Sequence, residues 1–447
     1  MLQLSAIRQK LNEFVLLLLA ASCLMIPMFY NGCPLFYPDS MGYIFWGQQG
    51  LPVPERVSSY SVLIKMVSLG RDLWLVIAFQ SLIAAILLRE IWTRLAGPSR
   101  SALFLFIMAV LGLLSPLGWT ASTLMPDLFC VISNLALFLL LFPEAGKKPS
   151  LFHLALFVLS ASQHMGNLMI NGLLLGFYFL YFIANGKLKA NLFGLLYALS
   201  GIIIAWAAIG LIHWRLSGEF FLSKSSQAFM TGRLLETGAA TRFLNENPSS
   251  FPEFQKFRTK FPMSLENYLW SPESPIHSLG GLHDTLQLQA GFNRAVLSRP
   301  SQVLAFARAG LKSGIKQLFL LDLGDGLGKV GCPQLCFYPE NQAEFLMSRQ
   351  FSGINFEKLN AWVLAFLFLL VTFFLLFALP QGIGPELRLL GFFILSLLLA
   401  NALVNGALST PLNRYQVRVF WLVYFWLLAA SYPVLNRYFS ANRNSTI

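Results

Sequence analysis

The chain has 447 residues and a formal net charge of +12, yet only 12% of its residues are charged and 56% are hydrophobic, with a mean hydropathy of +0.62. A soluble domain carries roughly twice that charged fraction, which excludes a soluble enzyme. The apolar runs are continuous rather than alternating, which excludes a spanning barrel and leaves an all-α polytopic membrane protein.

In chain order, ten apolar segments are predicted to span, near 11–30, 73–93, 102–118, 128–143, 151–163, 167–184, 192–213, 358–379, 389–408 and 417–434. The first follows Arg8 and Lys10, as a signal peptide would, and "LAASC" at 19–23 resembles a lipoprotein cleavage site. That site has Ala20 where Leu is usual, and a retained first helix is the better reading.

Basic residues of the short connections set the orientation. With the N-terminus cytoplasmic, Arg8, Lys10, Arg89, Arg94, Arg100, Lys147, Lys148, Lys187, Lys189, Arg388, Arg437 and Arg443 all fall inside. The opposite connections at 119–127 and 163–167 hold no Lys or Arg. We therefore expect an integral protein of the inner (cytoplasmic) membrane with both termini cytoplasmic. The positive charge then reports topology and needs no nucleic acid.

Two segments break the short-loop pattern. The division expected is an N-terminal membrane module, 1–213, with seven spans and a first outer loop at 31–72; an outer, periplasmic region, 214–357; and a C-terminal membrane module of three spans, 358–447. Within the outer region, "FNRAVLSRPSQVLAFARAGLKSGIKQLFLL" at 292–321 reads as helix broken at Pro300. Its second half puts Val303, Phe306, Ala307, Leu311 and Ile315 on one face and Arg308, Lys312 and Lys316 on another. Such a helix suits anionic headgroups or packing under the membrane domain. Cys332 and Cys336, in "GCPQLCF", have a spacing compatible with a local disulfide in an oxidising compartment.

The polar residues then fall into a pattern. Asp39 in "LFYPDSMGYIF" lies outside, just after the first span, with Tyr43 one turn on; Glu55 and Arg56 share that loop. Asp127 in "STLMPDLFC", His164 in "SASQHMGN", and Arg414 and Arg418 in "PLNRYQVRVFW" also lie at outer span ends. All could converge on one cavity. Each has a plainer role: Pro-Asp is a good helix start with Asp as cap, His164 could satisfy a turn, and the arginines could snorkel. But the arginines are spaced i, i+4, against the positive-inside bias, which suggests a bound anion such as phosphate.

In layout, residues 1–215 resemble the GT-C superfamily of membrane glycosyltransferases, which use lipid-phosphate sugar donors. "YPDSMGY" stands where those enzymes carry a catalytic acid, "VSSYSVLIKMVSLGRD" at 57–72 where they carry an interfacial helix, and "MPD" at 125–127 where many carry a second acid. The chain departs from several members in having its large soluble region between spans seven and eight rather than at the C-terminus. The resemblance implies transfer of a sugar from a polyprenyl-phosphate donor to an acceptor at the outer face, with Asp39 as general base. Arg414 and Arg418 would hold the leaving phosphate. Asp127, His164, Tyr43 and Arg56 would bind substrate, and membrane lipids would surround the donor chain.

Asp39, Asp127 and His164 could also hold a divalent metal, although no tight ligand motif such as DxD or HExxH occurs. Two other readings stay open. Asn167 and Asn171 near an outer turn, and Asn401 and Asn405 within the ninth span, fit a transporter or flippase of a lipid-linked or anionic substrate. A non-catalytic assembly subunit would use the outer region to bind a partner.

Overall fold

The computed structural model describes residues 2–144, 146–328, 331 and 333–444, and these are helical apart from turns and a single backbone bridge. Among the described residues, six helices are long and apolar enough to cross a membrane: Trp74–Ala96, Met165–Ala184, Leu188–Ser217, Phe356–Gln381, Pro385–Leu408 and Asn413–Val434. A seventh arises if Ser101–Leu114 and Pro116–Ser122, bent by 80°, count as one span. The protein is thus a multi-pass helical membrane protein.

That number is smaller than the ten apolar segments, and the reasons are physical. Asp127–Leu141 and Leu151–Ala161 have 15 and 11 residues. At 1.5 Å per residue they reach roughly 22 and 16 Å, short of the ~30 Å hydrocarbon layer. All 15 residues of Asp127–Leu141 are buried, so its apolarity serves the protein core. Leu2–Leu24 carries Arg8, Lys10 and Glu13, and breaks at Met25 before the short Ile26–Asn31 helix. Pro116 bends the third segment: Ser115 is extended and its hydroxyl caps the new helix at Leu117 N–H.

Two hydrophobic cores form among the described residues. The larger joins the apolar helices to the first loop and also takes in Leu323, Leu327, Leu335, Tyr338 and Phe345 from the long insert. The smaller is built within residues 228–296, around Phe292 stacked on Phe254 at 4.2 Å. The insert after residue 320 therefore belongs with the first loop: the Tyr338 hydroxyl is bonded to Gln48 and Ser68, and Asn341 accepts from Leu73 N–H at 3.0 Å. Cys336 is exposed, and its pairing with Cys332 falls outside the described residues.

One short backbone pairing positions the candidate acids. Residues 35–37 are extended beside the 122–124 turn: Leu35 N–H donates to Ser122 O at 3.0 Å, and Leu124 N–H to Leu35 O at 2.8 Å. Buried Gln350 locks the same stretch, accepting from Phe36 N–H at 2.9 Å and donating to Phe36 O at 2.6 Å. Pro38 then opens the Pro38–Gln49 helix, and the Ser40 hydroxyl donates to Leu124 O at 2.8 Å. The first turns of Pro38–Gln49 and Asp127–Leu141 are thereby held side by side.

Candidate functional site

Asp39 and Asp127 each sit in the first turn of a helix, where a negative charge is favoured. Neither caps it. Tyr37 and Pro126 occupy the cap positions, and both carboxylates turn to arginines instead. Arg56 Nη2 donates to Asp39 Oδ1 at 2.8 Å, and Arg414 Nη1 to Asp39 Oδ2 at 3.3 Å. Arg414 Nε lies 3.5 Å from Asp127 Oδ1, and Arg418 Nη1 donates to the same oxygen at 3.3 Å. Five charged groups from the first loop, the Asp127 turn and the start of Asn413–Val434 form one chain, with Arg414 bridging the two acids. Three arginines against two aspartates leave one positive charge.

The two later arginines differ in what they can still bind. Arg418 is 2% exposed, and its Nη2 is shared between Asn401 Oδ1 at 3.2 Å and Asn405 Oδ1 at 3.4 Å. The asparagines are themselves ordered: Asn401 donates to Tyr415 O and Gln416 Oε1, and Asn405 to Asn401. This i, i+4 pair is spent on holding Arg418. Arg414 is less committed. Nη1 makes its only hydrogen bond to protein among the described residues, and the guanidinium lies 4.2 Å from the Tyr37 ring centroid; Nε is without a hydrogen bond in both arginines.

Arg414, Arg418 and Asp127 line a small cavity with Tyr37, Trp119 and Met125. It holds about 50 Å³ of free space, room for a few waters and too little for a sugar. Asp39 does not line it but bonds to Arg414, which does. The far wall is the 321–328 loop, whose Asp322 and Asp325 face the same space. Gly326 has φ +76° and lies so close to Tyr37 that a Cβ would stand 1.7 Å from the ring. Asn413 and Asn360 side chains accept from Asp322 N–H and Leu323 N–H, fixing the loop. These two acids and Tyr37 are the residues sequence reasoning missed. The glycine-punctuated "DLGDG" was the available signal.

The remaining candidates take lesser places. His164 caps the Met165–Ala184 helix, its Nδ1 accepting from Gly166 N–H at 3.0 Å. Burial, then the charge of Arg418, pushes its pKa down to about 3, so it is a neutral turn residue at physiological pH. Tyr43 is buried, packs edge-on to Tyr60 at 5.2 Å and lies 5.8 Å from the Arg56 guanidinium. Burial opposes the Arg56 charge, but Asp39 and the Tyr43 phenol hold its pKa above the usual arginine value. Among the described residues no group of three or more His, Cys, Asp or Glu could hold a metal; Arg414 and Arg418 occupy the space around the acids instead.

An anion reaching Arg414 would replace its carboxylate contacts and release Asp39 Oδ2, while Arg56 keeps Oδ1. Comparison of the chain with protein-family models, curated proteins and solved structures finds no match, so this reading rests on the site's own chemistry.

Proposed function

We propose that the protein is a membrane glycosyltransferase that moves a sugar from a polyprenyl-phosphate donor to an acceptor at the outer membrane face. The observation that carries this reading is Arg414, which bridges Asp39 and Asp127 at a cavity wall while keeping donors in reserve. Asp127 and Arg418 are buried at the end of an apolar span, where charge is costly, and this supports a functional role for the cluster. In the reaction, Arg414 holds the lipid phosphate and stabilises the negative charge that grows on it as the glycosidic bond breaks. Asp39 takes the proton of the attacking acceptor hydroxyl or amine. Arg56 orients Asp39, and Arg418 with Asn401 and Asn405 fixes Asp127 beneath Arg414. The cavity must open for the donor, which requires the 321–328 loop to release its bonds to Asn413 and Asn360.

The test is donor consumption. Protein in liposomes with a radiolabelled polyprenyl-phospho-hexose and a cell-envelope extract should move label from lipid to acceptor. Label that stays on intact donor but changes leaflet would replace this reading with a flippase. Donor neither consumed nor moved would leave a non-catalytic subunit.

The finer layout belongs to the same proposal: ten membrane-embedded segments, cytoplasmic termini, and the site and the 214–357 region outside. Gln49, Ser278 and Lys187 are exposed and suit cysteine labelling. Gln49→Cys and Ser278→Cys should react with an impermeant maleimide in intact cells, and Lys187→Cys only after lysis, each read against the unsubstituted chain. The reverse pattern would place the site in the cytoplasm.

A further inference from the structure

The Pro300–Leu318 helix presents three faces. The first is packed: Gln302, Gly310, Gly314 and Gln317 are buried. A Cβ on Gly310 would stand 3.1 Å from Ala407 Cβ, and one on Gly406 2.4 Å from Gly314 N, so the glycines let this helix approach the end of Pro385–Leu408 closely. Gln317 fastens it, donating to Leu412 O at 2.8 Å and accepting from Leu412 N–H at 3.0 Å. The chain turns at 409–412 between two membrane-capable helices, so this contact lies at the end of a span, where hydrocarbon gives way to headgroups.

Of the apolar face expected from the sequence, Phe306 packs on the smaller core, while Val303, Leu311 and Ile315 are left outside with their neighbours Leu304 and Phe319. Leu304, Leu311, Ile315 and Phe319 are 51%, 55%, 53% and 76% exposed. Beside them Arg308, Lys312 and Lys316 follow one another at i, i+4, all exposed, and the helix contains no acid. An exposed apolar stripe next to a basic stripe that has no ion-pair partner among the described residues, held at the end of a span, matches a leaflet whose acyl chains adjoin anionic phosphates. We propose that this helix docks on an anionic phospholipid surface, with Leu311 and Ile315 at the acyl boundary and Arg308, Lys312 and Lys316 on lipid phosphates. Its fixation to Leu412, two residues before Arg414, ties the lipid contact to the site's own helix. The inference does not depend on the transferase reading.

The test uses the full chain in nanodiscs of phosphatidylcholine with or without phosphatidylglycerol. Bimane on Leu311→Cys or Ile315→Cys, in a background with Cys332→Ser and Cys336→Ser, should be quenched by headgroup-region nitroxide lipids and shielded from iodide. Phosphatidylglycerol affinity, read by native mass spectrometry, should fall roughly fivefold for each charge removed in Arg308→Gln, Lys312→Gln and Lys316→Gln. These side chains are exposed, so melting should be unchanged; if the triple variant misfolds, the single labels still report lipid proximity. Iodide quenching without nitroxide quenching would put the stripe in water. Shielding from both would mean that a protein partner or a second copy covers it. Equal phosphatidylglycerol affinity in the charge variants would remove the headgroup contact. Each of these results overturns the proposal.

Discussion

Asp39→Asn is expected to cut sugar transfer by roughly 10²–10⁴-fold, the usual contribution of a general base, while leaving the protein folded. The amide keeps the size of the side chain, and its oxygen can still accept from Arg56, which bonds Asp39 Oδ1 at 2.8 Å. It cannot take a proton at neutral pH. Asp39 is partly exposed, at 22%, so loss of its ion pairs should cost little stability. Transfer and melting temperature measured on one preparation separate the two roles. Full transfer by the asparagine variant would reduce Asp39 to an ionic tie between Arg56 and Arg414.

The second large effect is on stability. Asp127→Asn should destabilise the protein by about 3–5 kcal/mol, because it strips the counter-charge from a buried arginine. Asp127 and Arg418 are 7% and 2% exposed at their side chains, and their contact is 3.3 Å. Adding Arg418→Met should recover part of the loss, since the second change removes the orphaned charge. Detergent unfolding of both single variants and the double variant completes the cycle. Strictly additive losses would show that the two side chains do not stabilise each other.

How far this site could be read in advance follows from its chemistry. Asp39, Asp127, Arg414 and Arg418 stand out in sequence because charges are rare in so apolar a chain, and the basic-residue pattern leads one to expect them on one side. Their pairing was not legible. It depends on an isolated bridge at Leu35 and Thr123 and on Gln350, more than 300 residues further on, and neither leaves a periodic trace. Asn401 and Asn405 were visible as polar breaks in an apolar run, but which partner would use them was not; Arg418 does. Hydropathy also could not tell a lipid-facing helix from Asp127–Leu141, whose residues are apolar because protein surrounds them on every side. His164 reads equally as ligand or cap until Gly166 N–H is seen to claim its ring nitrogen.

The central claim is that Arg414 binds a lipid phosphate through two parallel hydrogen bonds, and Arg414→Lys tests it most directly. Lysine keeps the charge but cannot form the planar fork. Loss of one charge-assisted bond, about 1.5 kcal/mol, should weaken binding of polyprenyl phosphate roughly tenfold or more. Arg418→Lys is the internal comparison. Its bonded donors are already committed to Asp127, Asn401 and Asn405, so it should lower the melting temperature and leave affinity nearly unchanged. Binding of polyprenyl phosphate to both variants, measured beside their melting curves, gives the answer. Weaker binding in Arg414→Lys alone is the predicted result; equal affinity in the wild type and Arg414→Lys would contradict the phosphate clamp.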